Sequence, residues 1–301
     1  MDKITPHLWF DKEAREAVEF YTSLFPNSKI TNSTTLHDTP SGQCDIVSFE
    51  LSRQSFIAIS AGPLFKLNPS VSFLVTFNRA QEKNAKEKLE TLWSKLISTG
   101  TALMPLQEYP FSKCYGWVQD KFGLSWQLIL ADSGNEEHSH IIPSLLFVGS
   151  MYGKAEEAIN FYMSIFKNSR WGNLTYYSSG QDQEKEGTIS FADFMLSGQW
   201  FAAMESAQNH DFVFNEALSF IVNCETQEEI DYYWESLSAV PEAEQCGWLK
   251  DKYGLSWQVA PKALDEMMRN GTRKQIDRVT KAFLPMKKFD IATLKRAYEG
   301  K

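Results

Sequence analysis

Glu50, Asp193 and Glu205 are the carboxylates that fall on possible cavity faces of strands, where a carboxylate could transfer protons. Around the first of them, Val47, Phe49 and Leu51 share one side while Ser48 and Glu50 share the other, as the two-residue period of a strand requires. Asp193 and Glu205 fall in comparable strands further on. Two such groups converging on one cavity would make a general base or a metal site, whereas a lone acid facing solvent makes neither. Among the five histidines, His7 falls in a short apolar run from Ile4 to Phe10, and His37, His138, His140 and His210 fall in loop-like contexts. Trp9, Phe56, Trp200 and Phe201 are candidates to line an apolar pocket. Cys44, Cys114, Cys224 and Cys246 show no C-x-x-C spacing, which argues against a zinc knuckle or a redox pair. No elbow motif supports a serine or cysteine nucleophile.

The elements that must position these residues are written twice. Gly116 to Leu128 returns at Gly247 to Val259 with nine of thirteen residues identical. Each copy reads as a strand, a turn (Asp120 to Gly123, Asp251 to Gly254) and a second strand carrying Leu-Ser-Trp-Gln. If Gln127 and Gln258 face a cleft, alternation turns Trp126 and Trp257 into the core. Upstream, Glu16-Ala17, Phe20-Tyr21, Phe25 and Asn27-Ser28 match Glu157-Ala158, Phe161-Tyr162, Phe166 and Asn168-Ser169 at a constant spacing of 141. Each first helix is followed by three strand signals, then by a second strand and helix (Val71 to Phe77 and Gln81 to Ile97; Leu218 to Cys224 and Gln227 to Leu237), then by the hairpin. The expected fold class is α+β: two domains, 1–131 and 141–261, each of two β-α-β-β-β modules forming a curled mixed sheet. The second copy is shortened before its hairpin. A polar linker spans 132–140, and 262–301 is a helical extension without counterpart in the repeat, suited to cover a sheet face or a neighbouring subunit.

A composition of 43% hydrophobic and 14% aromatic residues suits globular cores, and no apolar run approaches the roughly 18 residues of a membrane span. A cytoplasmic location without membrane contact is expected. The net charge of -8 offers phosphate backbones no general attraction, so nucleic acid is not an expected partner. From Lys262 onward eleven Lys and Arg stand against five Asp and Glu, which reads as the solvated face of terminal helices.

The Glu16-Ala-Val-Glu-Phe-Tyr and Leu24-Phe-Pro-Asn-Ser segments, their second copies, the two hairpins and the tail from Met286 to Gly300 together resemble the PhnB-like branch of the vicinal oxygen chelate superfamily. That superfamily includes glyoxalases, extradiol dioxygenases and bleomycin-resistance proteins, and the branch carries the label 3-demethylubiquinone-9 3-methyltransferase. In metal-using members a glutamate after the final turn binds the ion, with histidines near the starts of the first and fifth strands. At the glutamate position this chain has Gln127 and Gln258, whose neutral amides are poor ligands and cannot act as bases near neutral pH. The fifth-strand position falls near Ser70 and Ala217, and His7 lies near the first-strand one. Methyl transfer would need a glycine-rich loop after a first parallel strand, and none is found. The resemblance therefore implies a protein that binds a small, partly apolar ligand without a complete metal set. Gln127, Gln258, Glu50, Trp9, Phe56, Asp193 and Glu205 are its candidate contacts. No cofactor is expected. The alternative is a metal-dependent lyase, isomerase or dioxygenase recruiting His7, Glu50 or Glu205 around a divalent ion. A third reading makes the modules a pairing scaffold, within one chain or in a homodimer.

Overall fold

Four modules follow one another in the computed structural model, which describes residues 2–132, 139–181 and 183–301. Residues 133–138 of the expected linker, His138 among them, lie outside the described residues. The first module is β1 (Ile4–Phe10), α1 (Ala14–Leu24), β2 (Lys29–Thr39), β3 (Gly42–Leu51) and β4 (Gln54–Ser60). The second is β5 (Val71–Asn78), α2 (Ala85–Ile97), β6 (Thr101–Tyr109), β7 (Ser112–Gln119) and β8 (Ser125–Ala131). The third is β9 (Ile141–Val148), α3 (Ala155–Ile165), β10 (Arg170–Tyr176), β11 (Ile189–Leu196) and β12 (Gln199–Ser206). The fourth is abbreviated to β13 (Leu218–Cys224), α4 (Gln227–Leu237), β14 (Trp248–Lys250) and β15 (Ser256–Pro261), and α5 (Lys262–Asn270), α6 (Arg273–Phe283) and α7 (Ile291–Glu299) complete the chain.

The repeated Asn-Ser after each first helix has a local cause. α1 and α3 end at the extended residues Phe25 and Phe166, and Asn27 and Asn168, with left-handed φ of 51° and 52°, then turn the chain into the next strand. The serines that follow then accept from the turns between later strands: Ser52 N donates to Ser28 Oγ at 3.0 Å and Ser197 N to Ser169 Oγ at 3.4 Å. On the helix side of the same turn, Ala14, Ala17, Val18 and Tyr21 are buried, as are Ala155, Ala158, Ile159, Tyr162 and Ile165 in the copy. The 3.6-residue period thus places one apolar stripe of each helix on its sheet.

The repeat and the compact units divide the chain differently. The boundaries 1–131 and 141–261 describe duplicated sequence. The two units are residues 1–66 with 214–301, and residues 67–213. The first unit holds a seven-stranded sheet in the order β14-β15-β13-β1-β4-β3-β2, and the second an eight-stranded sheet in the order β10-β11-β12-β9-β5-β8-β7-β6. In each, a module of one copy meets a module of the other through an antiparallel pair of leading strands: Ile4 to Leu8 against Val222 to Leu218, and Val71 to Val75 against Leu145 to Ile141. A leading strand left alone would be a bare edge with unpaired backbone groups, and this pairing satisfies it within one chain.

The missing strand of the fourth module is made good by the tail. Cys246 N donates to Met286 O and Gly247 N to Lys287 O, both at 2.7 Å, beside β14. Gly247 has φ of +83°, and any Cβ there would collide with the Phe289 ring, so both backbone and space demand glycine. Lys287 Nζ adds an ion pair to Glu244 at 3.1 Å. The extension therefore covers a sheet edge of its own unit, and Thr34 Oγ1 of β2 reaches Met268 O of α5 at 3.5 Å.

Candidate functional site

The conserved spelling of the two hairpins is explained by one buried acid in each. Asp120 Oδ1 accepts from Phe122 N at 2.8 Å and Leu124 N at 3.1 Å, and its Oδ2 accepts from Trp126 Nε1 at 2.9 Å. Asp251 repeats this with Tyr253 N at 2.8 Å, Leu255 N at 3.1 Å and Trp257 Nε1 at 2.8 Å. With Gly123 and Gly254 in the left-handed region, Asp, Gly, Leu and Trp form one turn device. Its consequence for the next residue is geometric. Trp126 and Trp257 are buried on the helix side, so Gln127 and Gln258 point from the opposite face of their sheets.

In the second unit Gln127 is fully engaged. Tyr115 OH donates to its Oε1 at 2.8 Å, and its Nε2 donates to Ser72 Oγ at 2.7 Å and Ser144 Oγ at 3.4 Å. Burial and the neighbouring Tyr109 push the Tyr115 phenol well up, so it stays a donor. Beside it Trp117 Nε1 donates to Ser125 Oγ at 2.8 Å. Leu74, Ile142, Trp200 and Ala202 pack as an apolar cluster on the same face. Gln127, Tyr115, Ser72, Ser144, Trp117 and Ser125 thus each have a hydrogen-bond partner from among themselves.

The matched set in the first unit is open. Gln258 Nε2 donates to Ser219 Oγ at 3.0 Å, as its counterpart does. The residue matching Tyr115 is Cys246, and its Sγ turns to Phe283 O and Leu284 O of the tail, at 3.8 and 3.3 Å, leaving the amide oxygen of Gln258 without that donor. The residue matching Trp117 is Trp248, which stands edge-on to His7 (5.3 Å) and Trp9 (6.0 Å), and Ser256 Oγ is buried without a partner. The residue matching Ser144 is His7, directly across from Ser219 in the β1–β13 ladder. His7 is 4% exposed, its Nδ1 has no hydrogen-bond partner, and burial pulls its pKa down to about 3, so the imidazole is neutral. Trp9 is fixed by its Nε1 donating to Gly62 O at 2.7 Å and by Phe65 edge-on at 5.2 Å.

The remaining candidates are distributed otherwise. Phe56, expected to line the cavity, is on the helix face, stacked on Phe49 at 5.3 Å. Glu205, expected on the cavity face, also belongs to the helix face: it accepts from Ala155 N at 2.9 Å, at the start of α3, and from Ile189 N at 2.6 Å. The first unit does the same with Ser60 Oγ, which accepts from Ala14 N at 3.2 Å. Phe201 stacks on Phe194. Asp193 does sit on the cleft side of β11, where its carboxylate accepts from Asn173 N at 2.6 Å and Asn173 Nδ2 at 2.8 Å and clamps the irregular stretch of β10. Glu50 is half-buried at the end of β3, paired with Lys29 at 3.4 Å. The serines at 72 and 219 went unread, although their signal was present in the matched runs Val71 to Val75 and Leu218 to Val222.

The family model for 3-demethylubiquinone-9 3-methyltransferase matches residues 2–129 and again 139–260. The chain belongs to this family. The PhnB protein from Bacillus cereus is 38% identical over 43% of this chain and 100% of its own, with a TM-score of 0.39. A protein from Staphylococcus aureus is 36% identical over 44% of this chain and 100% of its own, with a TM-score of 0.18. Glyoxalase I from Zea mays is 10% identical but covers 90% of this chain and 97% of its own with a TM-score of 0.55, a likeness of fold across both units. No curated protein matches the chain. Tandem glyoxalase-like architecture is thus established for this member of the 3-demethylubiquinone-9 3-methyltransferase family.

The glyoxalase-like fold raises the matter of a metal. The register sets Ser219 across from His7 and Ser72 across from Ser144, two residues on from the positions near Ala217 and Ser70 that the resemblance implied. The sets are then His7, Ser219 and Gln258 in one unit, and Ser144, Ser72 and Gln127 in the other. One imidazole with a hydroxyl and an amide does not suit a divalent transition ion, and three neutral oxygen-bearing side chains suit it less. Among the described residues no group of three His, Cys, Asp or Glu is arranged to hold a metal. No reaction step through a metal is derived for this family member.

Proposed function

We propose that this chain binds one small, partly apolar molecule on the face of the first unit's sheet opposite α1 and α4, against Gln258, His7, Trp9 and Trp248, while the matching face of the second unit is structural. A single observation supports this reading. Ser144 and Ser125 are hydrogen-bonded to Gln127 and Trp117 in the second unit, whereas at the equivalent positions of the first unit the Gln258–Ser219 bond is kept but His7 Nδ1 and Ser256 Oγ have no hydrogen-bond partner. Buried polar groups without partners are uncommon and costly, and a bound molecule that satisfies them removes that cost. The shortened segment before Cys246 leaves the second copy fewer residues to wall a pocket and by sequence favours the first copy. The open set instead combines the start of that copy with the end of the other.

The methyltransferase name does not extend to the chemistry proposed. The first unit's strand-to-helix connections, Asp11-Lys12-Glu13 and Glu225-Thr226, contain no glycine with which to cradle a nucleoside cofactor, and acids at these helix starts disfavour an anion. Thermal-shift screening with aromatic and quinone-like compounds tests the assignment. Compounds that raise the melting temperature should lose their effect in His7→Phe and keep it in Ser144→Ala, since stabilisation follows ligand occupancy. Hits insensitive to His7 and abolished by Ser144→Ala would move the site to the other unit.

A further inference from the structure

The polar groups left open on the first unit's face specify their complement. The amide nitrogen of Gln258 is committed to Ser219 Oγ at 3.0 Å, so the group it offers is an oxygen, which only accepts. His7 offers Nδ1, which is a donor in one neutral tautomer and an acceptor in the other. A hydroxyl can donate its one hydrogen to the Gln258 oxygen and accept from His7 in the tautomer that carries hydrogen on Nδ1. A carbonyl has nothing to donate, and an ammonium has nothing with which to accept.

Charge is selected against. The nearby cation, Lys250, is already paired with Glu216 at 2.8 Å, with both side chains about three-quarters or more buried. Burial holds His7 neutral, which means its surroundings give little support to a positive charge. A carboxylate or ammonium brought here would lose hydration, and Lys250 and Glu216 already neutralise each other. Shape is selected as well. Trp9, Trp248 and Phe65 meet edge to face at 5.2 to 6.0 Å, an arrangement that extends naturally to another ring. Ile57, opposite His7 in the β1–β4 ladder, continues the apolar wall.

We infer that the molecule held on this face is an uncharged planar aromatic compound bearing a hydroxyl group, the hydroxyl meeting Gln258 Oε1 and His7. The inference rests on the reading of this face as the binding site. Equilibrium dialysis of the full chain against 2-naphthol, naphthalene and 2-naphthoate separates the two. The expected result is one 2-naphthol per chain, bound about tenfold or more tightly than naphthalene, as a made rather than unmade buried hydrogen bond implies, with 2-naphthoate weaker than 2-naphthol. In Gln258→Leu the preference for 2-naphthol over naphthalene should vanish while naphthalene binding persists. Equal binding of 2-naphthol and naphthalene to the unaltered chain, or tightest binding of 2-naphthoate, would overturn the hydroxyl inference and leave the site standing. Binding of none of the three would overturn both.

Discussion

Asp251 and Asp120 each collect two backbone donors and an indole, so alanine at either leaves three N–H groups unpaired in a buried turn. Losses of about 3 kcal/mol in unfolding free energy by urea titration are expected for each, since one stranded buried donor costs about 1–3 kcal/mol. His7 carries a different signature. Its folded pKa of about 3 lies below the unfolded value near 6.5, so the unfolded chain binds the extra proton and stability falls as pH drops below about 6.5. Between pH 7.5 and 5.5 the unaltered chain should lose about 1.4 kcal/mol more than His7→Phe does, the worth of one pKa unit. Equal losses in both would mean that the imidazole is protonated when folded. At this scale the sequence was legible only in part. Repetition exposed Gln127, Gln258 and the paired tryptophans, because they sit in a turn whose spelling is constrained. It could not tell that position 115 is a tyrosine donating to its glutamine while position 246 is a cysteine turned to the tail.

Strand parity explains the elements that were misread. Phe56 and Glu205 were expected toward the cavity, but strand alternation decides a face only once one residue is anchored. The anchors are Ser60 and Glu205 themselves, each reaching the first residue of a helix. The helices, the hairpins and the shortened fourth module were all readable from period and repetition. The use of residues 286 and 287 as a substitute edge was not, since it depends on backbone groups alone. A substitution at Gly247 tests that edge. Gly247→Val adds a side chain where the φ of +83° and the Phe289 ring leave no room, so a cost of about 2 kcal/mol or more is expected. Amide exchange of α7 should then become markedly faster than in the unaltered chain. Unchanged protection of α7 would show that the tail is held by its other contacts.

Across the whole molecule, the pairing of modules from different copies sets how the chain can be divided. A break within 133–138 separates β1 from its partner β13 and β5 from its partner β9. The two fragments produced together should therefore co-purify in equal amounts, and each produced alone should fail to give the full chain's cooperative melt. Two independently folding monomeric fragments would contradict this. Local patterns did not contain the exchange, because a leading strand's sequence is equally compatible with either partner. The same exchange has a consequence for how the protein can change. In a symmetric dimer of half-length chains the two faces would be copies, and a replacement such as tyrosine by cysteine would be felt twice. In the fused chain it is felt once, so one face can drift toward a new ligand while its twin keeps the scaffold intact.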